Sequence, residues 1–452
     1  MRQANPTPAN VALHLTRVVC GAQLRRWPAI FGRRVSRKAA LQSEWRLGLA
    51  VVVVVAALAI PVLSLLWASA ESPSVPISRR GIHNGASYRI EVPAGWNGKL
   101  VGFAHGYEGE GSGQGSVHTS PLGTYLTRQG YAWAASGYRS RGYRPDWFVA
   151  DTLALRELFV REIGPPHWTI IHGMSMGGHV AIASLEIHPG VYQGALIECG
   201  IIDGVSLGDL HYAWRAAAAY LSGVNVFEAP DRQEQARRVH VQWLPLMGAP
   251  GAYTKRGQRY DSVLKYLMGG DLPLRLQGLE QRYLANLLFP QEDIENHPLH
   301  RAASTLHIHY RIDPGLGVME EELNAQIRRK SPAPGARSPA TDPVFAELTG
   351  HITVPVLALH ETGDARVPFS LQQMYRRRTL TAGTAHLLVQ RAVRWPGHCT
   401  FTGEVREQAF DDLVRWIEGG AQPDGDDVLA SDVSQIGLRW TPLLHVEDPL
   451  RQ

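Results

Sequence analysis

Short apolar runs alternate with segments of helical spacing over much of the chain. Strands are predicted where such runs occur, at residues 87–92, 99–104, 131–135, 168–172 and 192–198. The apolar residues of 151–163 recur at helical spacing, and this segment ends at Gly164-Pro165-Pro166, which stops a helix. A second helix is predicted after residue 172. Strands and helices that alternate in this way form a mostly parallel sheet with helices on its faces.

The alternation stops between about residues 204 and 350, where the composition becomes helical. It then resumes, with strands predicted at 354–360 and 386–393 and helices at 369–379 and 403–418. We therefore predict an α/β fold with a large helical cap inserted between the strands that lie near residues 200 and 354. The predicted parts are a linker at 71–84, a catalytic core at 85–203 and 351–425, the cap at 204–350 and a tail at 426–452.

The first 70 residues have a different composition. Residues 1–46 form a basic region with nine Lys/Arg and one acid, and residues 47–67 carry no charge. An apolar run of about 20 residues can span a bilayer as a helix, and the basic flank predicts that its N-terminus stays inside. Ala68-Ser69-Ala70 matches a signal-peptidase site. Residues 47–70 are thus either a cleaved signal peptide or a single membrane anchor, and both place the catalytic part outside the cytoplasm, periplasmic or extracellular.

Charge and cysteine content narrow the function classes. Beyond residue 70 the chain carries 36 Lys/Arg and 40 Asp/Glu, so it lacks the basic footprint of a nucleic-acid-binding protein. Cys20 falls in the leader. Cys199 and Cys399 are a candidate disulfide in an oxidising compartment, and two buried free thiols are the alternative. No H-E-x-x-H motif or P-loop is present, and we expect no metal and no cofactor.

A candidate nucleophile lies between the strand 168–172 and the helix that follows. Gly173-Met174-Ser175-Met176-Gly177 fits Gly-x-Ser-x-Gly, and the order of strand, sharp turn and helix is that of a nucleophile elbow. Such a turn needs small residues at Gly173 and Gly177, and it would hold the Ser175 hydroxyl at the top of the sheet. Taken without that context, the pentapeptide is also compatible with an ordinary Gly/Ser turn.

Two later loops supply the acid and the base that a serine nucleophile requires. Asp364 follows the strand 354–360, and His398 follows the strand 386–393. The imidazole would accept the Ser175 proton, and the carboxylate would orient the imidazole. Glu361 is the substitute for Asp364, and both acids are also compatible with a turn role. Backbone N–H groups of Tyr107, after the strand 99–104, and of Met176 are the predicted oxyanion hole.

These motifs resemble those of the α/β-hydrolase superfamily over about residues 85–420. The motifs that carry the resemblance are His105-Gly106-Tyr107, the elbow at 173–178, the segment 363–368 and Pro396-Gly397-His398. The order Ser, Asp, His is the order of that superfamily. Residues 397–402 and 198–200 are similar to exported bacterial esterases related to polyhydroxybutyrate depolymerases and tannase/feruloyl-esterase types. Tannase-like enzymes bridge a cysteine before the nucleophile to one beside the histidine, whereas Met174 stands at the first of these positions here.

The leading hypothesis is an exported serine hydrolase that cleaves a small or polymeric carboxylic ester through an acyl-enzyme on Ser175. A serine peptidase or amidase with the same triad is the alternative among enzymes. From another class, an inactive α/β-hydrolase could serve as a membrane-tethered binding domain. The triad residues do not distinguish ester from amide, because the pocket and the cap select the leaving group.

Overall fold

A central sheet of eight strands runs through the part of the chain that the computed structural model describes, residues 73–227, 229, 231–287 and 297–441. Its strand order is β1-β2-β4-β3-β5-β6-β9-β10. The strands are β1 (Ile77–His83), β2 (Ala86–Val92), β3 (Lys99–Ala104), β4 (Ala132–Ser136), β5 (Trp168–Met174), β6 (Gly194–Glu198), β9 (Val356–Glu361) and β10 (Leu388–Val393). Strands β4, β3, β5, β6, β9 and β10 are parallel, and β1 and β2 pair antiparallel at one edge. The predicted fold class is confirmed.

Helices cover both faces of the sheet. In the core they are α1 (Gly123–Arg128), α2 (Pro145–Glu162), α3 (Met176–Ile187), α11 (Ser370–Ala382) and α12 (Gly403–Ile417). On one face α3 is buried along almost its whole length and packs with Ile171 and Ile197. On the other face Phe410 and Leu413 of α12 pack with Leu196 and Leu357. The central strands are buried on both sides, which explains their continuous apolar sequences.

The segment between β6 and β9 is helical, with one small ribbon. Its helices are α4 (Ser206–Ser222), α5 (Arg232–Arg237), α6 (Leu244–Met247), α7 (Lys255–Met268), α8 (Arg275–Arg282), α9 (Pro298–Ala302) and α10 (Glu320–Gln326). The ribbon pairs β7 (Gly248–Ala249) with β8 (Ala252–Tyr253). Fully buried aromatic residues, among them Trp214, Trp243 and Tyr260, form the interior of this cap. They share one apolar cluster with α3 of the core.

The structure differs from the sequence prediction in the segment 71–84. Residues Ile77–His83 form the edge strand β1, whereas a linker was expected. Most β1 side chains are exposed, so the strand has no apolar face that a hydropathy pattern could reveal. The turn that joins it to β2 is Asn84-Gly85, and both residues have positive φ (49° and 83°). Asn-Gly is the sequence most typical of a tight hairpin turn.

The predicted C-terminal tail also has structure. Its described part, 426–441, places Val428 and Ile436 against Ala392 of the edge strand β10. The predicted leader, including the apolar segment 47–67, lies outside the described residues. Among the helices that the structure does describe, none is long and apolar enough to cross a membrane.

Candidate active site

Ser175 lies in a strained turn between β5 and α3. Its backbone has φ 55° and ψ −118°, a conformation that a residue with a side chain rarely adopts. The turn is held by three backbone hydrogen bonds: Ser175 N–H donates to Glu198 O (3.0 Å), and Ser175 O accepts from Gly178 N (2.9 Å) and Ile201 N (3.1 Å). A Cβ at Gly177 would overlap the carbonyl group of Ala104. The glycine therefore allows the helix to begin this close to β3.

The structure brings Ser175, His398 and Asp364 together in one hydrogen-bonded row. Ser175 Oγ lies 2.9 Å from His398 Nε2, and His398 Nδ1 lies 2.5 Å from Asp364 Oδ2. Asp364 is buried, and its other oxygen accepts hydrogen bonds from the N–H groups of Arg366 (2.8 Å) and Val367 (3.0 Å). The carboxylate is thereby fixed in one orientation, with Oδ2 directed at the imidazole.

Glu361, the substitute acid, occupies a different place. Its Oε1 accepts hydrogen bonds from Thr400 N–H (2.6 Å) and the Thr400 hydroxyl (3.2 Å), so it braces the loop that carries His398. Its Oε2 has no hydrogen-bond partner in the described structure. Burial and the neighbouring Asp364 charge raise the pKa of Glu361 well above the ordinary range of a glutamate. Of the two acids, only Asp364 contacts His398.

A disulfide connects the sheet to the loop that carries His398. This loop, residues 394–402, is called the histidine loop. Cys199, which follows β6, is bonded to Cys399, which follows His398, with 5.2 Å between their Cα atoms. Both cysteines have positive φ (46° and 62°). Since Glu198 O also accepts the Ser175 N–H, the end of β6 fixes both the nucleophile turn and the histidine loop.

A buried ionic group lies next to the disulfide and was not predicted from the sequence. Glu198 accepts hydrogen bonds from His172 Nε2 (2.9 Å) and Arg406 Nε (2.6 Å). Arg406 also donates to the carbonyl groups of Phe401 and Cys399. Burial opposes the ionisation of Glu198, but the contacts with His172 and Arg406 outweigh it and lower its pKa. One signal for this group is present in the sequence, Arg406, which lies four residues past the segment 397–402 in the helix predicted at 403–418. The sequence does not fix which way this helix directs the arginine side chain.

The two residues predicted to form the oxyanion hole flank the serine. Met176 is the first residue of α3, so its N–H lacks an intrahelical acceptor. Gly106, just before Tyr107, approaches Ser175 so closely that a Cβ there would lie 3.1 Å from Ser175 Cβ. The Tyr107 side chain is exposed and donates its hydroxyl to Glu110 (2.8 Å). The role of the two N–H groups stays a prediction.

The sheet, the strand–serine–helix elbow and the chain order of the three site residues are those of the α/β-hydrolase fold. Residues 83–236, about a third of the chain, match the Tannase-like family of unknown function (DUF6351). The chain is 22% identical to the o-phthalyl amidase of Xanthobacter agilis over 428 residues, which cover 75% of this chain and 87% of the relative. The fold and the family match over about a third of the chain support a hydrolase.

Two solved structures show similarity at low sequence identity. Feruloyl esterase B from Aspergillus oryzae matches with 11% identity and a TM-score of 0.47, over 77% of this chain and 82% of that chain. Acylaminoacyl peptidase from Pyrococcus horikoshii matches with 14% identity and a TM-score of 0.38, over 79% of this chain and 44% of that chain. The match thus spans less than half the length of the peptidase.

Proposed function

We propose that the protein is an exported serine hydrolase that cleaves carboxylic esters through an acyl-enzyme on Ser175. The observation that carries this proposal is the hydrogen-bonded row from Ser175 Oγ through His398 to Asp364 Oδ2, with distances of 2.9 and 2.5 Å. A serine hydroxyl becomes a competent nucleophile when an adjacent imidazole accepts its proton. The row supplies that base and an acid that orients it.

In the first half-reaction Ser175 Oγ attacks the ester carbonyl carbon while His398 Nε2 takes the hydroxyl proton. The tetrahedral intermediate collapses to the acyl-enzyme, and His398 returns the proton to the leaving alcohol. In the second half-reaction water repeats the sequence and releases the acid. Asp364 orients the imidazole and stabilises the imidazolium that forms. Backbone N–H groups of Tyr107 and Met176 would meet the oxyanion, and one such donor stabilises a transition state by about 3 kcal/mol.

Amide hydrolysis is the second candidate. The similarity to an o-phthalyl amidase over most of both chains favours it, and the same proton transfers would serve an amine leaving group. An amide requires His398 to protonate a more basic leaving group before the intermediate collapses.

Export is supported by the disulfide as well as by the leader. A Cys199–Cys399 bridge persists in oxidising compartments and is rare in the cytosol. We propose that the catalytic part works in the periplasm or outside the cell, either released after Ala70 or anchored by residues 47–67.

A fluorophosphonate probe tests the proposal directly. We expect the full chain to be labelled and Ser175→Ala to be unlabelled, with Ser184→Ala, another serine close to the elbow, as the matched control. Absence of labelling in the unmodified chain would leave a binding protein as the remaining hypothesis. A 4-nitrophenyl ester and a 4-nitroanilide with the same acyl group then separate esterase from amidase.

A further inference from the structure

The cap helix α8 packs directly against the loop that carries Asp364. This loop, residues 362–369 between β9 and α11, is called the acid loop. A Cβ at Gly278 would overlap the carbonyl oxygen of Gly363, so the two backbones are in contact. Beyond the end of this helix, Asn286 Nδ2 donates to Ala365 O (2.7 Å). Arg282 lies one helical turn after Gly278 and thus on the same side of α8. This places its side chain beside the loop that carries Asp364.

Arg366 of the same loop brings a second guanidinium to this place. Its side chain is exposed, and its carbonyl oxygen lies 3.4 Å from His211 Nε2 of α4. Burial and the neighbouring Arg366 charge lower the pKa of Arg282, against the opposite effect of Asp364. Burial and the charge of Arg215 lower the pKa of His211 to about 3, so the imidazole between α4 and the loop is neutral.

Other arginines of the described residues have protein acceptors: Arg376 and Arg394 donate to backbone carbonyl groups, and several buried or partly buried ones pair with carboxylates. Such pairs are Arg275–Asp261 (2.8 Å), Arg337–Asp209 (2.9 Å), Arg378–Asp203 (2.5 Å), Arg391–Asp412 (2.7 Å) and Arg406–Glu198 (2.6 Å). Within the described ranges no carboxylate lies at ion-pair distance from Arg282 or Arg366. Arg282 Nε is buried there without a hydrogen-bond partner. Asp364 is not an ion-pair partner for these arginines, because both its oxygens already accept hydrogen bonds, from His398 and from two N–H groups.

We propose that Arg282 and Arg366 form a subsite for a carboxylate on the substrate, between the cap and the acid loop. Guanidinium groups match carboxylates in shape and charge, and two of them without an acid partner favour an anion. The substrate class is then a monoester or monoamide of a dicarboxylic acid, whose free carboxylate anchors the acyl group while Ser175 attacks the other end. This inference rests on the proposed serine hydrolase function.

The test compares two substrates that differ only in charge, the mono-4-nitrophenyl ester of adipic acid and 4-nitrophenyl hexanoate. We expect the full chain to prefer the adipate ester in kcat/KM. Arg282→Gln and Arg366→Gln should each lower the ratio of the two kcat/KM values about tenfold, through KM, because each removes a charge-assisted hydrogen bond to the free carboxylate. Arg282→Lys keeps the charge and should retain part of the preference. Arg377→Gln, at an exposed arginine of α11, is the matched control.

Equal losses on both substrates would overturn the proposal, because the arginines would then act only on Asp364. A protein that hydrolyses both esters with equal kcat/KM would also overturn it, while the serine hydrolase function would stand. If neither ester is cleaved, the binding of uncleaved analogues tests the subsite instead. By calorimetry the full-length Ser175→Ala protein should bind the mono-4-nitroanilide of adipic acid more tightly than hexanoic 4-nitroanilide, and Arg282→Gln should remove the difference. Equal binding of the two anilides would contradict the subsite.

Discussion

Two carboxyl groups lie near His398, and their different surroundings give them different tasks. Asp364 contacts the imidazole with one oxygen, and its other oxygen accepts hydrogen bonds from two backbone N–H groups, which fix its orientation. Glu361 is buried, lacks a partner at Oε2, and has a raised pKa. It accepts from Thr400 through a single oxygen, a contact that a neutral carboxylic acid or an amide also makes.

We therefore expect opposite outcomes from two matched amide substitutions. Asp364→Asn should lower kcat by about 10⁴, because an amide cannot hold the imidazole in the required tautomer. Glu361→Gln should keep kcat within about tenfold, because the Thr400 N–H retains its acceptor. Steady-state kinetics on a 4-nitrophenyl ester measure both. A loss in Glu361→Gln as large as that in Asp364→Asn would make Glu361 the orienting acid.

The raised pKa of Glu361 also predicts a pH dependence of stability. Its folded pKa lies above its unfolded value, so it stabilises the fold fully only below the unfolded pKa and loses that contribution as pH rises through the folded pKa. Glu361→Gln removes this loss. Its melting temperature relative to the unmodified protein should rise between pH 5 and pH 8. A difference that does not change with pH would contradict a buried, protonated Glu361.

The three residues of the row could be predicted from the sequence because each follows a recognisable strand and their order is diagnostic. Asp364 is the predicted acid and Glu361 its substitute, and the sequence alone does not decide between them, because Glu361 ends strand β9 and Asp364 lies three residues later. The hydrogen bond between His398 Nδ1 and Asp364 Oδ2 shows which carboxylate faces the imidazole, and the N–H groups of Arg366 and Val367 hold the other oxygen of Asp364.

At the scale of elements, β6 and the histidine loop form one unit through Cys199–Cys399 and the Glu198–Arg406 pair. The disulfide joins residues 200 positions apart in the chain. Closing so long a loop stabilises the fold by restricting the unfolded chain.

We expect Cys199→Ala or Cys399→Ala to lower the free energy of unfolding by about 2–5 kcal/mol. A reductant should lower the melting temperature of the unmodified protein and leave these variants unaffected. Cys20→Ala, at the third cysteine, is the control. Denaturant unfolding with and without dithiothreitol measures the effect, and insensitivity of the unmodified protein to complete reduction would argue against a stabilising bridge.

The Glu198–Arg406 pair gives a second prediction at this scale. Arg406→Gln leaves a buried carboxylate with His172 alone and should destabilise the protein by about 3–5 kcal/mol at pH 8. In the unmodified protein Glu198 has a lowered pKa, so its contribution to stability is present above its unfolded pKa and is lost as pH falls through the folded pKa. The difference between the two proteins should therefore shrink as pH falls below about 4.5. Arg415→Gln, an exposed arginine on the same helix, should cost less than about 1 kcal/mol. Equal effects of the two substitutions would contradict the buried pair.

Elements with a clear apolar pattern could be predicted, and polar ones could not. Strand β1 has mostly exposed side chains, and only its Asn84-Gly85 turn marks it. Helix α2 begins at Pro145, six residues before the predicted start, because proline fits the first turn of a helix and its fixed φ begins the helix there.

At the scale of the whole molecule, the cap is part of the candidate active site. The insertion could be located from the break in strand alternation, but its contacts with the core depend on packing that no local pattern reports. Helix α8 is connected to the acid loop at both ends, through Thr362 Oγ1 to Pro273 O (2.7 Å) and through Asn286 to Ala365. Between these bonds Gly278 lets the helix backbone touch Gly363.

This contact predicts that one methyl group in the cap alters catalysis in the core. Gly278→Ala would place a Cβ on the carbonyl oxygen of Gly363, so either α8 or the acid loop must move, at a cost of about 1–3 kcal/mol. Because Asp364 follows Gly363, we expect kcat on a 4-nitrophenyl ester to fall at least about tenfold. Gly403→Ala, at the start of α12 where a Cβ meets only the edge of Glu407, is the control and should preserve both kcat and melting temperature. Unchanged kinetics in Gly278→Ala would mean that the acid loop keeps its geometry when the cap is displaced, and the cap would then act on the substrate alone.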